Sequence, residues 1–221
     1  MGKIFTRQGY YVFTNQDVES RIRGGHSFIQ IRIKDEPVHS ICENADLLIA
    51  LDKAVIDQDL PDLAEDGVMI FDGAKTGFQS DKPNHFSIPL EQLAPEAGKS
   101  KIMVNTVASG AALAVLGFDL KPLLDRLEEE FGRKGEEVVE NNRDSASAGY
   151  QYMQKNFKGV YPYKIPPAPS SRRKMLINGS EAMALGAVCS GLEVLLALSH
   201  VSIHPHHGIC CFHGRTAQHY S

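Results

Sequence analysis

Apolar positions in the first hundred residues come in short bursts, and over the next sixty they recur at helical spacing. Gly9 to Thr14 is aromatic and β-branched and predicts a strand. Ile29, Ile31 and Ile33 alternate with Phe28, Gln30 and Arg32, the period-two pattern of a half-buried strand. Leu47 to Leu51, bounded by Asp46 and Asp52, is an unbroken apolar run, as is Val68 to Phe71. Both runs predict parallel strands buried on both faces. Lys53 to Leu63 predicts a short helix with Pro61 near its end, and His85 to Leu90 a further short strand. Strands and helices at this spacing predict an α/β fold, a doubly wound, mostly parallel sheet with flanking helices.

The second half turns helical. Asn105 and Thr106 are placed to cap a small-residue helix through Val107, Ala108, Ala111, Ala112 and Val115, ending at Gly117. Asp119 is placed to cap Leu120 to Phe131, with Pro122 tolerated in the first turn and Gly132 at the end. Glu136 to Phe157 reads as a longer amphipathic helix, and Glu128-Glu129-Glu130 as a solvated face. Residues 158–174, with four prolines and then Arg172-Arg173-Lys174, have the composition of a linker. Beyond it, Asn178-Gly179 makes a turn, and Glu181 to Val188 opens another small-residue helix.

Composition narrows the classes. The 221 residues are 43% hydrophobic and 23% charged, ordinary for a globular protein. A formal charge of -4 argues against a nucleic-acid binder that relies on phosphate contacts. Met1 to Arg7 has no signal-peptide core, and no apolar segment is long enough for a bilayer, so the expected location is cytoplasmic, with no membrane partner. Cys42, Cys189, Cys210 and Cys211 form no CxxC pair, so no zinc ribbon or ferredoxin-type cluster is read.

Candidate chemistry gathers at Ser20-Arg21-Ile22-Arg23-Gly24-Gly25-His26-Ser27, just before the alternating strand. Gly24 and Gly25 permit a sharp turn or the close approach of a ligand. Arg21 and Arg23 on such a loop suit the gripping of a carboxylate or phosphate; the alternative is two solvated arginines. Asp52 and Asp72 end strands where α/β proteins bind ligands, and serve equally well as helix caps. Gly73-Ala74-Lys75-Thr76-Gly77 lacks the register of a phosphate loop and reads as a turn.

The series GYYVFTNQDVESRIRGGHSFIQIRI, ADLLIALD, GVMIFDG, KIMVNTVASGAALAVLG and KGEEVVENN resembles the gamma domain of 2-oxoacid:ferredoxin oxidoreductases, a family that includes enzymes acting on pyruvate, 2-ketoisovalerate and 2-oxoglutarate. INGSEAMALGAV resembles the junction where that domain is fused to a thiamine-pyrimidine-type domain in an alpha subunit. The resemblance implies part of a hetero-oligomer that oxidatively decarboxylates a 2-oxoacid with coenzyme A, giving acyl-CoA and carbon dioxide and reducing ferredoxin. It implies a beta subunit carrying thiamine diphosphate and Mg, the remainder of an alpha subunit, and [4Fe-4S] clusters, with no cofactor bound by this chain alone. Arg21, Arg23, Gly24, Gly25, Asn105 and Thr106 would lie at the interface or close to substrate and coenzyme A, and no catalytic residue is assigned to this chain.

Two departures from the family pattern shape the expected domains. Members normally begin with a strand, a Gly-rich turn and a helix, so residues 1–157 are expected to be a gamma-type domain lacking the first two. Residues 175–192 are expected to start the thiamine-pyrimidine-type domain. Residues 193–221 are expected to be a frameshifted tail: six of the nine histidines fall there without metal-site spacing, and the tail back-translated with permissible codons can give a family-like continuation when read one base later. On these grounds the chain alone is expected to be inactive. A non-catalytic assembly module or an inactive truncated relic are the alternatives.

Overall fold

Val68, Met69, Ile70 and Phe71 set the layers of the fold. All four are buried, and successive side chains of a strand point to opposite faces. Val68 and Ile70 therefore enter one apolar cluster, and Met69 and Phe71 another. Fully burying a side chain of this size contributes about 1.5–3 kcal/mol, so this strand needs cover on both sides. A computed structural model shows how that cover is supplied. It describes residues 1–18, 27–93, 101–157, 165–169 and 174–192, with only the backbone for 101 and 102.

The element order is α1 (Gly2–Arg7), β1 (Tyr11–Val18), β2 (Ser27–Lys34), β3 (Ala45–Ala50), α2 (Lys53–Asp59), β4 (Leu63–Phe71), α3 (Gly73–Thr76), β5 (His85–Ser87), α4 (Leu90–Leu93), α5 (Lys101–Val115), α6 (Lys121–Phe131), α7 (Glu136–Asn156) and α8 (Gly179–Cys189). Strands β3, β4 and β5 form a parallel sheet in that spatial order, with Ile49 opposite Ile70 and Ile70 opposite Phe86. Helix α2 covers one face through Ile56, while α5 and Met153 of α7 cover the other. Helices on both faces of a parallel sheet make the doubly wound arrangement that the sequence predicts. A third apolar cluster joins α1, α6 and α7 through Ile4, Phe5, Leu123, Leu127 and Ala146.

Strands β1 and β2 stand apart as a two-stranded antiparallel ribbon, in register from Tyr11 opposite Lys34 to Val18 opposite Ser27. The mainly parallel expectation therefore applies to the three-stranded sheet only. One face of the ribbon carries Val12, Thr14, Gln16 and Val18 with Ser27, Ile29, Ile31 and Ile33. Val12 and Ile33 pack on the α1–α6 cluster, Ile31 is half-buried, and Ile29 and Val18 are 61% and 60% exposed. The isoleucine alternation thus marks a face that the described residues cover only at its base.

Two expectations need correction. Leu47 to Leu51 predicts a strand buried on both faces, but β3 lies at an edge of the described sheet and only Ala50 in it is buried. An edge strand receives cover from one neighbour instead of two. Asn105 and Thr106 do not begin a helix, since α5 is already formed at Lys101. Met103 and Val104 share the buried cluster of Val107, Ala108 and Ala111, so the apolar phase extends a turn further back.

The chain divides into two compact units, Met1–Met175 and Leu176–Ser221. Within the first unit the described residues of the proline-rich stretch are fastened down. Ile165 joins the α1–α6 cluster, and the Tyr10 hydroxyl donates to the Pro166 carbonyl at 2.6 Å. The Lys174 amide donates to Thr6 O at 3.1 Å, and its ammonium lies 3.8 Å from the Tyr11 ring centroid. In the second unit, α8 opens with a capping box. Asn178 Oδ1 accepts from the Glu181 amide, and the Glu181 carboxylate accepts from the Asn178 amide, both at 2.8 Å. Met183, Leu185 and Val188 of this helix are exposed. Residues 193–221, the expected frameshifted tail, lie outside the described residues.

Candidate functional site

Arg21, Arg23, Gly24 and Gly25 lie outside the described residues. The backbone on either side of them is fixed: Val18 and Ser27 are paired across the end of the ribbon, and eight residues connect them. The base of the ribbon that flanks this segment in sequence rests on α1. On the face of the ribbon opposite the isoleucines, Arg32 Nη1 donates to Ser40 O at 3.1 Å. That bond ties the following loop to the ribbon.

At the carboxyl ends of the parallel strands, both aspartates act as helix caps. Asp52 Oδ1 accepts from the Val55 amide at 3.0 Å. Asp72 is buried, and its Oδ1 accepts from the Ala74 and Lys75 amides at 3.1 Å each. Its Oδ2 accepts from the Glu91 amide at 3.4 Å, linking α3 to α4. Gly77 closes α3 at φ +66°, so the Gly73–Gly77 segment is a capped turn of helix. A Cβ at Gly73 would sit 2.6 Å from Ser87 Oγ, the end of a side chain that can rotate away.

At the amino edge of the sheet, His85 Nδ1 lies 2.8 Å from Ser80 Oγ, and Nε2 is buried without a hydrogen-bond partner. Burial, and then the nearby Lys82 charge, lower the pKa of this imidazole and favour the neutral ring.

Asn105 and Thr106 occupy α5 but do different things. Asn105 is exposed, whereas the Thr106 hydroxyl donates to Asn142 Oδ1 of α7 at 3.0 Å. Asn142 is 2% exposed, and its Nδ2 donates to Val138 O at 2.8 Å. The sequence did not single out Asn142, because a lone asparagine in an amphipathic helix carries no pattern. Nor did it single out Gly110 and Gly149, at which α5 and α7 make backbone contact: a Cβ at Gly110 would lie 2.0 Å from Ala146 O, and one at Gly149 would lie 2.1 Å from Val107 O.

A cleft of about 400 Å³ between α1 and α6 is lined by Ile4, Arg7, Asp125, Arg126 and Glu129. Arg7 donates to Glu129 at 2.6 Å and Arg126 to the same carboxylate oxygen at 3.3 Å. The Arg7 hydrogen bond is the main cause that holds the Glu129 carboxyl below its usual range. Both guanidinium groups are thus engaged inside the cleft, which leaves it poorly suited to an anion. Among the described residues no group of three or more His, Cys, Asp and Glu side chains is placed to hold a metal. Cys42 and Cys189 are exposed free thiols.

The chain matches the pattern of the pyruvate ferredoxin/flavodoxin oxidoreductase family over residues 1–152. It is 21% identical to a 2-oxoacid:ferredoxin oxidoreductase alpha subunit from a Sulfolobus species, over 87% of this chain and 36% of that one. The chain thus spans about a third of the length of that relative. Its fold resembles 2-oxoglutarate:ferredoxin oxidoreductase from Magnetococcus marinus at a TM-score of 0.76 and 24% identity, covering 86% of this chain and 34% of the other. It also resembles the gamma subunit of a keto/oxoacid ferredoxin oxidoreductase from Geobacter sulfurreducens, with a TM-score of 0.53, 24% identity and coverage of 70% and 89%. The gamma subunit shows that a chain of this fold exists as a separate polypeptide, while the other two carry it inside a longer one. With a family pattern spanning well over half of its length, this chain belongs to the pyruvate ferredoxin/flavodoxin oxidoreductase family.

Proposed function

We propose that the chain serves as the gamma-type part of a 2-oxoacid:ferredoxin oxidoreductase and works only when assembled with other subunits. In that reaction a 2-oxoacid loses its carboxyl group as carbon dioxide and its acyl group forms a thioester with coenzyme A. The two electrons released leave for ferredoxin. The observation that carries this reading is the family match across residues 1–152. The solved relative from Magnetococcus marinus holds 2-oxoglutarate, coenzyme A and succinyl-CoA. Thiamine diphosphate with Mg would supply the carbonyl chemistry and iron–sulfur clusters the electron path. The family resemblance assigns both to a beta subunit and to the rest of an alpha subunit. Residues 175–192 would begin the next domain of that alpha subunit.

What this chain contributes in the proposal is binding and orientation. Arg21 and Arg23 would present guanidinium forks to the 2-oxoacid carboxylate or a coenzyme A phosphate, with Gly24 and Gly25 leaving room for approach. A charge-assisted hydrogen bond is worth about 1.5–3 kcal/mol, so loss of either arginine should lower turnover at least about tenfold. The test combines the chain with beta and remaining alpha polypeptides from the same genome and follows oxoacid- and CoA-dependent viologen reduction. Arg21→Ala or Arg23→Ala should reduce the rate while the melting temperature stays put. A raised KM for the oxoacid alone would identify the carboxylate as the target, and a raised KM for coenzyme A the phosphate. Unchanged kinetics would remove the arginines from the site. An assembled complex with no turnover would favour a non-catalytic assembly module.

A further inference from the structure

The β1–β2 ribbon has one face without a charged residue, in a chain where 23% of residues are charged. The solvent face of an antiparallel ribbon ordinarily alternates to polar and charged side chains. Here the outer part of the face, from Thr14 and Ile31 to Val18 and Ser27, is uncharged and becomes more exposed toward the tip. A two-stranded ribbon alone is marginally stable, and interface centres are depleted of charge, so such a face calls for a cover.

The size of the face decides what that cover is. The five outer positions, at about 3.4 Å each on two strands about 4.8 Å apart, give an uncovered face of roughly 160 Å². Two copies meeting through it would bury roughly 300 Å² in total, well under the ~1,200 Å² of a stable association between separate chains. A patch this small contributes usefully when a larger interface or a covalent connection holds the two bodies together. The alpha-subunit relative from Sulfolobus has about two-thirds of its length beyond the part that matches this chain.

We infer that the uncharged ribbon face is a docking surface for another domain of the alpha-type subunit, an apolar surface supplied by the part this chain does not contain. This deepens the functional proposal and rests on it, since it takes the chain to work within the assembled enzyme.

The experiment compares the wild type with the Val18→Glu, Ile29→Glu double variant. Asp17→Lys, at the same height on the opposite face, serves as control. Each is titrated against the remaining alpha polypeptide and the beta subunit from the same genome, read by native mass spectrometry and by turnover. The expected result is at least a tenfold loss of assembly for the double variant, with wild-type assembly for the control. Should glutamates unfold the ribbon, Val18→Thr with Ile29→Thr keeps β-branched residues there and should weaken assembly in the same direction. A double variant that assembles like wild type overturns the surface while leaving the enzymatic reading intact. Wild-type complexes that assemble without turnover sink the enzymatic reading alone, and a double variant that then fails to assemble still upholds the surface. A wild-type homodimer that the double variant abolishes assigns the face to a second copy and overturns the inference.

Discussion

Gly110→Ala tests whether the backbone contact between α5 and α7 sets the position of the helical layer. Alanine favours a helix by about 1 kcal/mol over glycine, so intrinsic propensity alone makes the change stabilising. The structure predicts the opposite sign. The added Cβ would sit 2.0 Å from Ala146 O and 2.8 Å from its carbonyl carbon, both rigid backbone atoms. Restoring the 3.4 Å at which ordinary van der Waals contact begins requires the helices to part by about 1.4 Å. A gap of 0.5–1 Å already forfeits about a quarter to a half of the dispersion well. Val104, Val107, Ala108 and Ala111 of α5 share a cluster with Met153 of α7, so they would feel the separation together. Overpacking costs about 1–3 kcal/mol, and backbone against backbone belongs at the top of that range or above it. Subtracting the propensity gain leaves a net loss of about 2 kcal/mol. For a unit of this size that lowers the melting temperature by roughly 4–8 °C. Thermal and urea unfolding followed by far-ultraviolet circular dichroism would measure it. Gly132→Ala is the reference: nothing lies within 4 Å of its Cβ position and its backbone is helical at φ -53°, so it should be neutral or stabilising. A Gly110→Ala protein as stable as wild type would falsify the close-contact argument.

Two other predictions concern buried polar groups. His85 has a folded-state pKa below its unfolded value of about 6.5. The unfolded chain therefore binds the proton more readily, so this contribution is intact above about pH 6.5 and erodes as the pH falls from there toward the lowered folded value. The drop in melting temperature between pH 7.5 and 5.5 should be smaller in His85→Gln; an equal drop in both proteins removes His85 as the cause. Thr106→Val leaves Asn142 Oδ1 without its donor and should cost about 1–3 kcal/mol in urea unfolding, while Asn105→Ala at an exposed position should stay within about 0.5 kcal/mol. Equal effects of the two changes would refute that assignment.

Much of the fold was legible in the residue pattern. The unbroken run at Val68 to Phe71 announced a strand buried on both faces, and its side chains do divide between two clusters. Helices α6 and α7 begin and end within a residue of the sequence expectation, and for α6 Pro122 and Gly132 are the local signals. Asp52 and Asp72 were readable as caps from their place after strands, but only the amide distances chose capping over ligand binding. The family itself was carried by ordered motifs and needed no coordinates.

Less of the candidate site was legible. Its arginines and glycines were chosen by chemistry, and those positions lie outside the described residues. Thr106 was picked for its place at an expected helix start, and it proved to be an interior residue bonded across to α7.

What the sequence determined by itself are the properties of single segments, because periodicity, capping and turn preference act between residues a few positions apart. Tertiary structure alone decided that β3 is an edge of the described sheet, that the described residues cover the isoleucine face of the ribbon only at its base, and that Gly110 and Gly149 are sites of backbone contact. Each of these depends on which distant segment lies alongside, and an apolar or small residue is written the same way whether or not a neighbour arrives.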